Sequence, residues 1–395
     1  MAFLGKKVFD YRRSLMRALM ERHDLDALAF TDADFFQFAT NFHTDVRPWE
    51  RPIILVMPAE GEPFAVMNEL STNHVRMARE RDTVWVADIT FYAEHPHLTG
   101  RLPLVVQWPE LVVDRLAGHG LAKGRIGIDG GGPLIRRVGE LSPRVEFVPL
   151  VAAMRELRWV KHADEIAVMR QAAALSDWVQ DLYRENIRPG RLVQEMDSAI
   201  NALMVEEGAR RFAGENLEAG CWSIGGPATS SPHGDGAPTG QRIEKGQGLI
   251  NFVNPRLNGL KVENERTWFC GKPSAKQKAA YEAAREASAA AAAQAVTGNP
   301  VSAIDAAAQA VIEKAGFGEY ILHRTGHGMG TNGHEFPEDM AFNHRPLLAG
   351  EVYSSEPGIY IYGLGGFRTD ETVVVGDKPE VLTKAPSDIE SQTIS

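Results

Sequence analysis

At 395 residues, 44% apolar and 24% charged, the chain is too long for one ordinary hydrophobic core, which predicts two globular domains and excludes a disordered or fibrous protein. Cys221 and Cys270 are the only cysteines, excluding a disulfide framework or an all-cysteine zinc site. A formal charge of −10 without a basic stripe speaks against a nucleic-acid partner, and the absence of a long apolar run, at Met1 to Tyr11 or elsewhere, predicts a cytoplasmic protein with no membrane partner.

From Val8 to about Leu150 short strands alternate with amphipathic helices. Arg12 to His23 is helical in period, and Leu25 to Phe30 and Pro52 to Met57 read as strands. Further strands at Thr83 to Val86 and Arg125 to Ile128 predict an open α/β domain. Asp129 to Pro133 (DGGGP) lacks the Lys and Ser/Thr of a phosphate loop and reads as a strand-to-helix turn. Around Arg155 the pattern changes to an Ala-rich helix that starts near Asp164 and Glu165, placing a boundary between domains 1–155 and 156–395.

The second half holds a cryptic repeat. Helices at about Ala163 to Glu185 and Leu192 to Glu207, the latter ended by Gly208, are matched by helices at Ser274 to Val296 and Val301 to Lys314. Each pair precedes a strand-rich segment, so two helix-helix-sheet units are expected to enclose a pocket between their sheets.

Within Leu249 to Cys270 a hairpin is expected, and alternation puts Glu263 and Glu265 on one strand face with Asn264 and Arg266 on the other. Two carboxylates about 7 Å apart on a buried face need a proton or a cation. His323 to Pro337 (HRTGHGMGTNGHEFP) concentrates three histidines among glycines, which suits proton transfer or metal ligation. Ser354 to Tyr360 carries Glu356, Gly365 to Val375 carries Asp370 and Glu371, and Ser231 to Pro238 presents His233 on a Gly-rich loop.

The series HxTGHGxG, HExP, EPGIY and Gly-Gly-Phe-Arg, within Arg155 to Val375, resembles the creatinase, aminopeptidase P, methionine aminopeptidase and prolidase (M24) superfamily. The resemblance implies an α/β protein with an N-terminal creatinase-like domain, a C-terminal pita-bread domain and usually a homodimer. Hydrolases of that superfamily hold two metals on two Asp, one His and two Glu. Aligned on Arg266-Thr267, the Asp positions fall on Phe252, or Asn251 with a slip of one residue, and on Glu263; the others fall on His327, Glu356 and Asp370. Loss of an anionic ligand is expected to dismantle the two-metal site.

Glu265-Arg266-Thr267 is similar to the metal-independent creatinase branch. That similarity implies a cofactor-free hydrolase of a non-peptide C–N bond in a small guanidino or amidine zwitterion. His233 is then the acid/base, Glu265 and Glu356 hold the cationic group, and Glu263 completes the catalytic set. His327 and His334 contact the substrate, and Arg47 or Arg51, with Trp49 as a wall, grips its carboxylate from the partner subunit. Glu263 has no carboxylate counterpart in creatinase, and Lys261 replaces an aromatic residue there. One alternative is an enzyme with one divalent ion (Fe, Mn, Zn or Co) on Glu263, His327, Glu356 and Asp370, either an Xaa-Pro peptidase or a dimethylsulfoniopropionate lyase-like enzyme. Another is a catalytically inactive pita-bread binding module.

Overall fold

Helix Lys6–His23 forms because its apolar residues recur every three or four positions, and Val8, Phe9, Met16, Leu19 and Met20 are all buried. Arg12 lies among them, its guanidinium over Phe38 (4.4 Å) and bonded to the Phe38 carbonyl (2.5 Å). The computed structural model describes residues 4–44, 46–95, 102–236, 240–335 and 340–394. They divide into two compact units, 4–158 and 159–394.

The N-terminal unit is a six-stranded mixed sheet: β1 Ala27–Phe30, β2 Ile54–Pro58, β3 Phe64–Asn68, β4 Asp88–Tyr92, β5 Arg125–Ile128 and β6 Glu146–Pro149, in the order β4-β3-β2-β1-β5-β6. Alternation sorts its side chains into two cores. Leu28, Phe30, Leu55, Met57, Ala65 and Met67 join one, and Ala27, Ala29, Ile54, Val56, Phe64 and Val66 the other. The stretch 83–86, expected as a strand, is not one. Its Trp85 N–H bonds to the Thr40 carbonyl (2.9 Å), and β4 takes the sheet edge beside β3 instead. Asp129–Pro133 is a strand-to-helix turn, with Asp129 accepting from the Thr31 and Asp32 amides (2.8 and 2.9 Å) and Pro133 opening helix Pro133–Leu141.

In the C-terminal unit, helices Ala163–Asn186 and Val193–Arg211 precede a sheet of Cys221–Gly225, Gly248–Val253, Asn264–Cys270 and Thr393–Ile394. Helices Ala275–Ala292 and Ser302–Lys314 precede Val352–Ser355, Gly358–Ile361, Gly365–Arg368 and Glu371–Val374. The second helix does not stop at Gly208. That glycine serves close packing, since a Cβ there would lie 2.2 Å from Leu217. Ala280, Ala284, Ala287 and Ala291 let the third helix settle against Phe269, Tyr353 and Phe367. The two half-sheets are joined at their centre, where Asp370 N–H donates to the Glu265 carbonyl (3.1 Å) and Thr267 exchanges bonds with the Arg368 backbone (2.8 Å each). Both cysteines are buried thiols, and burial pushes Cys221 up to about 12. No helix among the described residues is long and apolar enough to cross a membrane.

Candidate metal centre

The centre lies at that junction of the half-sheets. Across the hairpin, Glu265 is paired with Phe252 and Arg266 with Asn251, so alternation turns Glu265 to one face and Asn264 and Arg266 to the other. Asn264 bonds Ser176 and Asp177 (3.0 and 2.9 Å) on the first helix, and Asn251 bonds Gln180 (2.8 Å). The loop bearing His327 is drawn tightly onto Val352–Ser355: a Cβ on Gly326 would lie 1.9 Å from the Ser354 carbonyl oxygen, and Ser354 N–H donates to His327 O (2.9 Å). Asp305 fixes the same loop by accepting from Thr325 N–H (2.8 Å).

His327 is 1% exposed, and its Nε2 lies 3.4 Å from Glu263 Oε2 and 3.3 Å from Glu356 Oε1 without a hydrogen-bond partner. His334 stacks on it at 3.7 Å. Two clusters of donor atoms, each within 4.8 Å, result: Glu263, His327 and His334, and Glu265, Glu356 and Asp370. Asp370 Oδ1 accepts from Ser354 Oγ (3.1 Å), while its buried Oδ2 has no partner. The buried guanidinium of Arg368 sits against Glu265 (2.6 Å) and Glu356 (3.5 Å), over the Phe252 ring (4.8 Å), and bonds Tyr360 Oη, which in turn bonds His323 Nε2 (2.7 Å).

Burial pushes all four carboxyl groups up. At Glu356 and Glu263 the His327 imidazole outweighs it, with Arg368 helping at the former and Lys261 at the latter; Glu356 is brought down to about 2 and Glu263 below its usual range. At Glu265 burial prevails over Arg368, aided by Glu356 and Glu263, and the group is pushed up to about 8; Asp370 rises well above the carboxylate range for the same reasons. His327, although burial lowers it, is raised well above an ordinary imidazole by Glu263 and Glu356. Burial lowers His323 and His334.

These shifts set a pH dependence in chelator-treated protein. The folded pKa of Glu265 is raised above its unfolded value of 4.5, so its contribution is present below that pH and lost as pH rises towards about 8. Glu265→Gln keeps an acceptor for Arg368 and cannot titrate. It is expected to flatten the fall in unfolding free energy by about 1.4 kcal/mol per pH unit across that window. Denaturant melts with an unchanged slope would remove the assignment.

The structure therefore brings together Glu263, Glu265, His327, His334, Glu356 and Asp370. His233 is exposed on its loop and lines a cleft of ≈ 560 Å³ with Asp197, Cys221, Trp222 and Gln241. Trp222 is paired with Phe252 across neighbouring strands and stacks on it at 3.8 Å, so this cleft runs up to the wall of the centre. In the N-terminal unit Arg47 begins a turn that leaves Trp49 85% exposed, and Arg51 pairs with Glu50 and Glu94 (2.8 Å each). Ala237, Pro238, Phe336 and Pro337, the ends of two of the motifs, lie outside the described residues. Arg368, Tyr360 and Trp222 were not among the expected site residues. The first two lie in motifs that the sequence does mark, whereas Trp222 enters only through strand pairing.

This architecture, two helix pairs backing two half-sheets around a carboxylate-histidine centre, is the pita-bread class with a separate α/β domain. Residues 167–377, just over half of the sequence, match metallopeptidase family M24, and 12–160 match the creatinase/prolidase N-terminal domain. The chain belongs to metallopeptidase family M24. The Xaa-Pro dipeptidase of Pyrococcus furiosus is 29% identical over 257 residues, 65% of this chain and 72% of that protein. The Xaa-Pro dipeptidase of Lactobacillus helveticus is 31% identical over 250 residues, 62% and 66% of the two. The crystal structure of dipeptidase PepE from Mycobacterium ulcerans aligns with a TM-score of 0.79 at 26% identity, covering 99% of both chains.

The family and these relatives overturn the expectation of a metal-independent hydrolase of a non-peptide C–N bond, and with it that of a centre with no cofactor. The geometry shows why the expectation fails. Phe252 does remove one acid, but Glu265, its partner across the ladder, returns a carboxylate to that face, and His334 joins Glu263 and His327. The guanidinium that Glu265 and Glu356 hold is also the protein's own, Arg368, in the place where a guanidino substrate was expected.

Proposed function

We propose that the C-terminal unit is a metal-dependent hydrolase of short peptides that holds one divalent transition-metal ion on Glu263, His327 and Glu356, with Asp370 and His334 alongside. The observation that carries this reading is the buried His327 Nε2, which has no hydrogen bond and stands 3.3 and 3.4 Å from two carboxylate oxygens. Donors about 2.0–2.2 Å from one tetrahedral ion stand about 3.3–3.6 Å from each other, so each of the two carboxylate oxygens already stands at ligand spacing from that nitrogen. Charge supports the same reading. With His327 neutral, the carboxylates of Glu263, Glu265, Glu356 and Asp370 outnumber the Arg368 guanidinium and the Lys261 ammonium by two, and a divalent ion offsets the excess. The Arg368 guanidinium already occupies the space beside Glu265 and Glu356 as a fixed cation, which favours one ion rather than two. Mixed imidazole and carboxylate donors suit Zn, Fe, Mn or Co.

When bound, such an ion acidifies a water and polarises the scissile carbonyl. Glu265, whose affinity for a proton burial raises, would take the proton given up by the attacking water and pass it to the departing amine nitrogen. Tyr360, bonded to His323 and Arg368, keeps that guanidinium between Glu265 and Glu356. The stacked Phe252 and Trp222 rings give an apolar wall for a substrate side chain or a proline ring.

Purified protein is expected to carry one divalent metal per chain by elemental analysis and to hydrolyse dipeptides such as Gly-Pro. Chelation removes both properties, and Mn, Fe, Zn or Co restores them. Full activity after chelation, or no metal uptake on reconstitution, would refute the reading.

A further inference from the structure

Lys261 ends a short strand, Leu260–Lys261, whose Lys261 N–H donates to the Gly330 carbonyl (2.8 Å). The strand is thereby stitched to the loop that carries His327 and His334. The lysine's Nζ lies 3.2 Å from Glu263 Oε1 and packs so closely on the same loop that a Cβ on Gly333 would come within 2.7 Å of it. Glu263 thus uses its two oxygens differently, Oε2 facing His327 and Oε1 facing Lys261. The cation environments also differ. Arg368 is buried against Glu265, Glu356 and Tyr360, and Arg324 donates to the Gly326 carbonyl and lies against His334. Lys261 is 28% exposed where Glu263 is 6% exposed. Its ammonium has three donors, of which the Glu263 pair uses one.

From this placement we infer that Lys261 is a specificity residue, its ammonium receiving the free C-terminal carboxylate of a dipeptide. The inference rests on the peptide-hydrolase reading above and deepens it. In a dipeptide the scissile carbonyl and the terminal carboxylate lie on either side of a single residue. Here His327 Nε2 and the Lys261 ammonium lie on either side of one carboxylate, that of Glu263. A carbonyl at the ion that the first would hold is followed, one residue on, by an anion at the second. Longer peptides and C-terminal amides present no charge there, so the lysine selects for length.

The test uses metal-reconstituted protein whose occupancy is verified by elemental analysis, titrated calorimetrically at pH 7 with L-proline, the carboxylate-bearing product of Gly-Pro hydrolysis, and with L-prolinamide, neither of which has a bond for the enzyme to cleave. Wild-type protein is expected to prefer the free acid by about 10- to 100-fold, the range of one charge-assisted hydrogen bond. In Lys261→Met that preference falls to near parity with metal content unchanged, and in Lys261→Arg it survives. A preference that persists in Lys261→Met overturns the inference, as does a Lys261→Met protein that loses its metal, because Lys261 would then serve Glu263 alone. Failure of the underlying reading shows separately, as wild-type protein that takes up no divalent ion, and it removes this inference too.

Discussion

His327→Ala is expected to lower kcat/KM for dipeptides by at least about 10³-fold, equivalent to about 4 kcal/mol of transition-state stabilisation. Bound metal should fall well below one equivalent. The size follows from geometry: His327 Nε2 is the nitrogen donor that stands at ligand distance from both Glu263 and Glu356, and the Gly326–His327 backbone is held by Ser354, so an alanine there leaves both carboxylates without it. His334 stacks on the ring, but its Nδ1 lies against Arg324. Activity and metal content measured on one preparation separate loss of the ion from loss of the fold, which circular dichroism monitors. A variant with stoichiometric metal and activity within tenfold of wild type would remove His327 from the ligand set.

What could be read in the sequence is what depends on local period and punctuation. Alternation turns Glu265 away from Asn264 and Arg266, whereas Glu263, expected on the same strand face, lies just before the strand Asn264–Cys270 and joins a different donor cluster; the glycine-rich strings around His327, Glu356 and Asp370 mark where loops meet sheets. The four long helices of the C-terminal unit follow from their Ala-rich period and their Pro-Gly or Gly-Asn-Pro breaks. Spacing along a chain does not show what stands across a ladder. That Phe252 faces Glu265, so that an acid lost from one strand is matched by one on the next, is a fact of hairpin register. The same limit hides Trp222, which reaches the centre only because its strand pairs with Phe252. Arg368 lies about a hundred residues from Glu265, and its role depends on joining two half-sheets that local patterns treat separately. The stretch 83–86 fails for a related reason: its apolar alternation fits a strand, but β4 occupies the edge beside β3.

Arg266→Met is expected to destabilise the C-terminal unit by about 3–5 kcal/mol, the range for breaking a buried ion pair by removing one partner. For a unit of this size that corresponds to a fall in Tm of roughly 6–20 °C. The Arg266 side chain is fully buried on the strand face opposite Glu265 and pairs with Glu371 at 2.9 Å. Its remaining donors go to the carbonyls of Glu265 (2.8 Å), Asp370 (3.0 Å), Ala385 (2.8 Å) and Pro386 (3.2 Å). Two of those carbonyls belong to residues of the proposed centre, and they are the pair that bridges the half-sheets. Removing the guanidinium leaves the buried Glu371 carboxylate without a countercharge, held by the Thr383 hydroxyl, and takes a donor from each of four carbonyls, which is the source of the cost. Arg266→Met with Glu371→Met removes the stranded charge as well and is expected to recover part of the loss, a positive coupling between neighbours. Metal affinity reports the functional side. In Arg266→Met it should fall even at temperatures where the unit remains folded, because the bridge that sets Asp370 against Glu265 has lost its brace. A Tm within 3 °C of wild type, or a double variant no more stable than the single one, would show that the packing around Arg266, and not its charge, holds the half-sheets together.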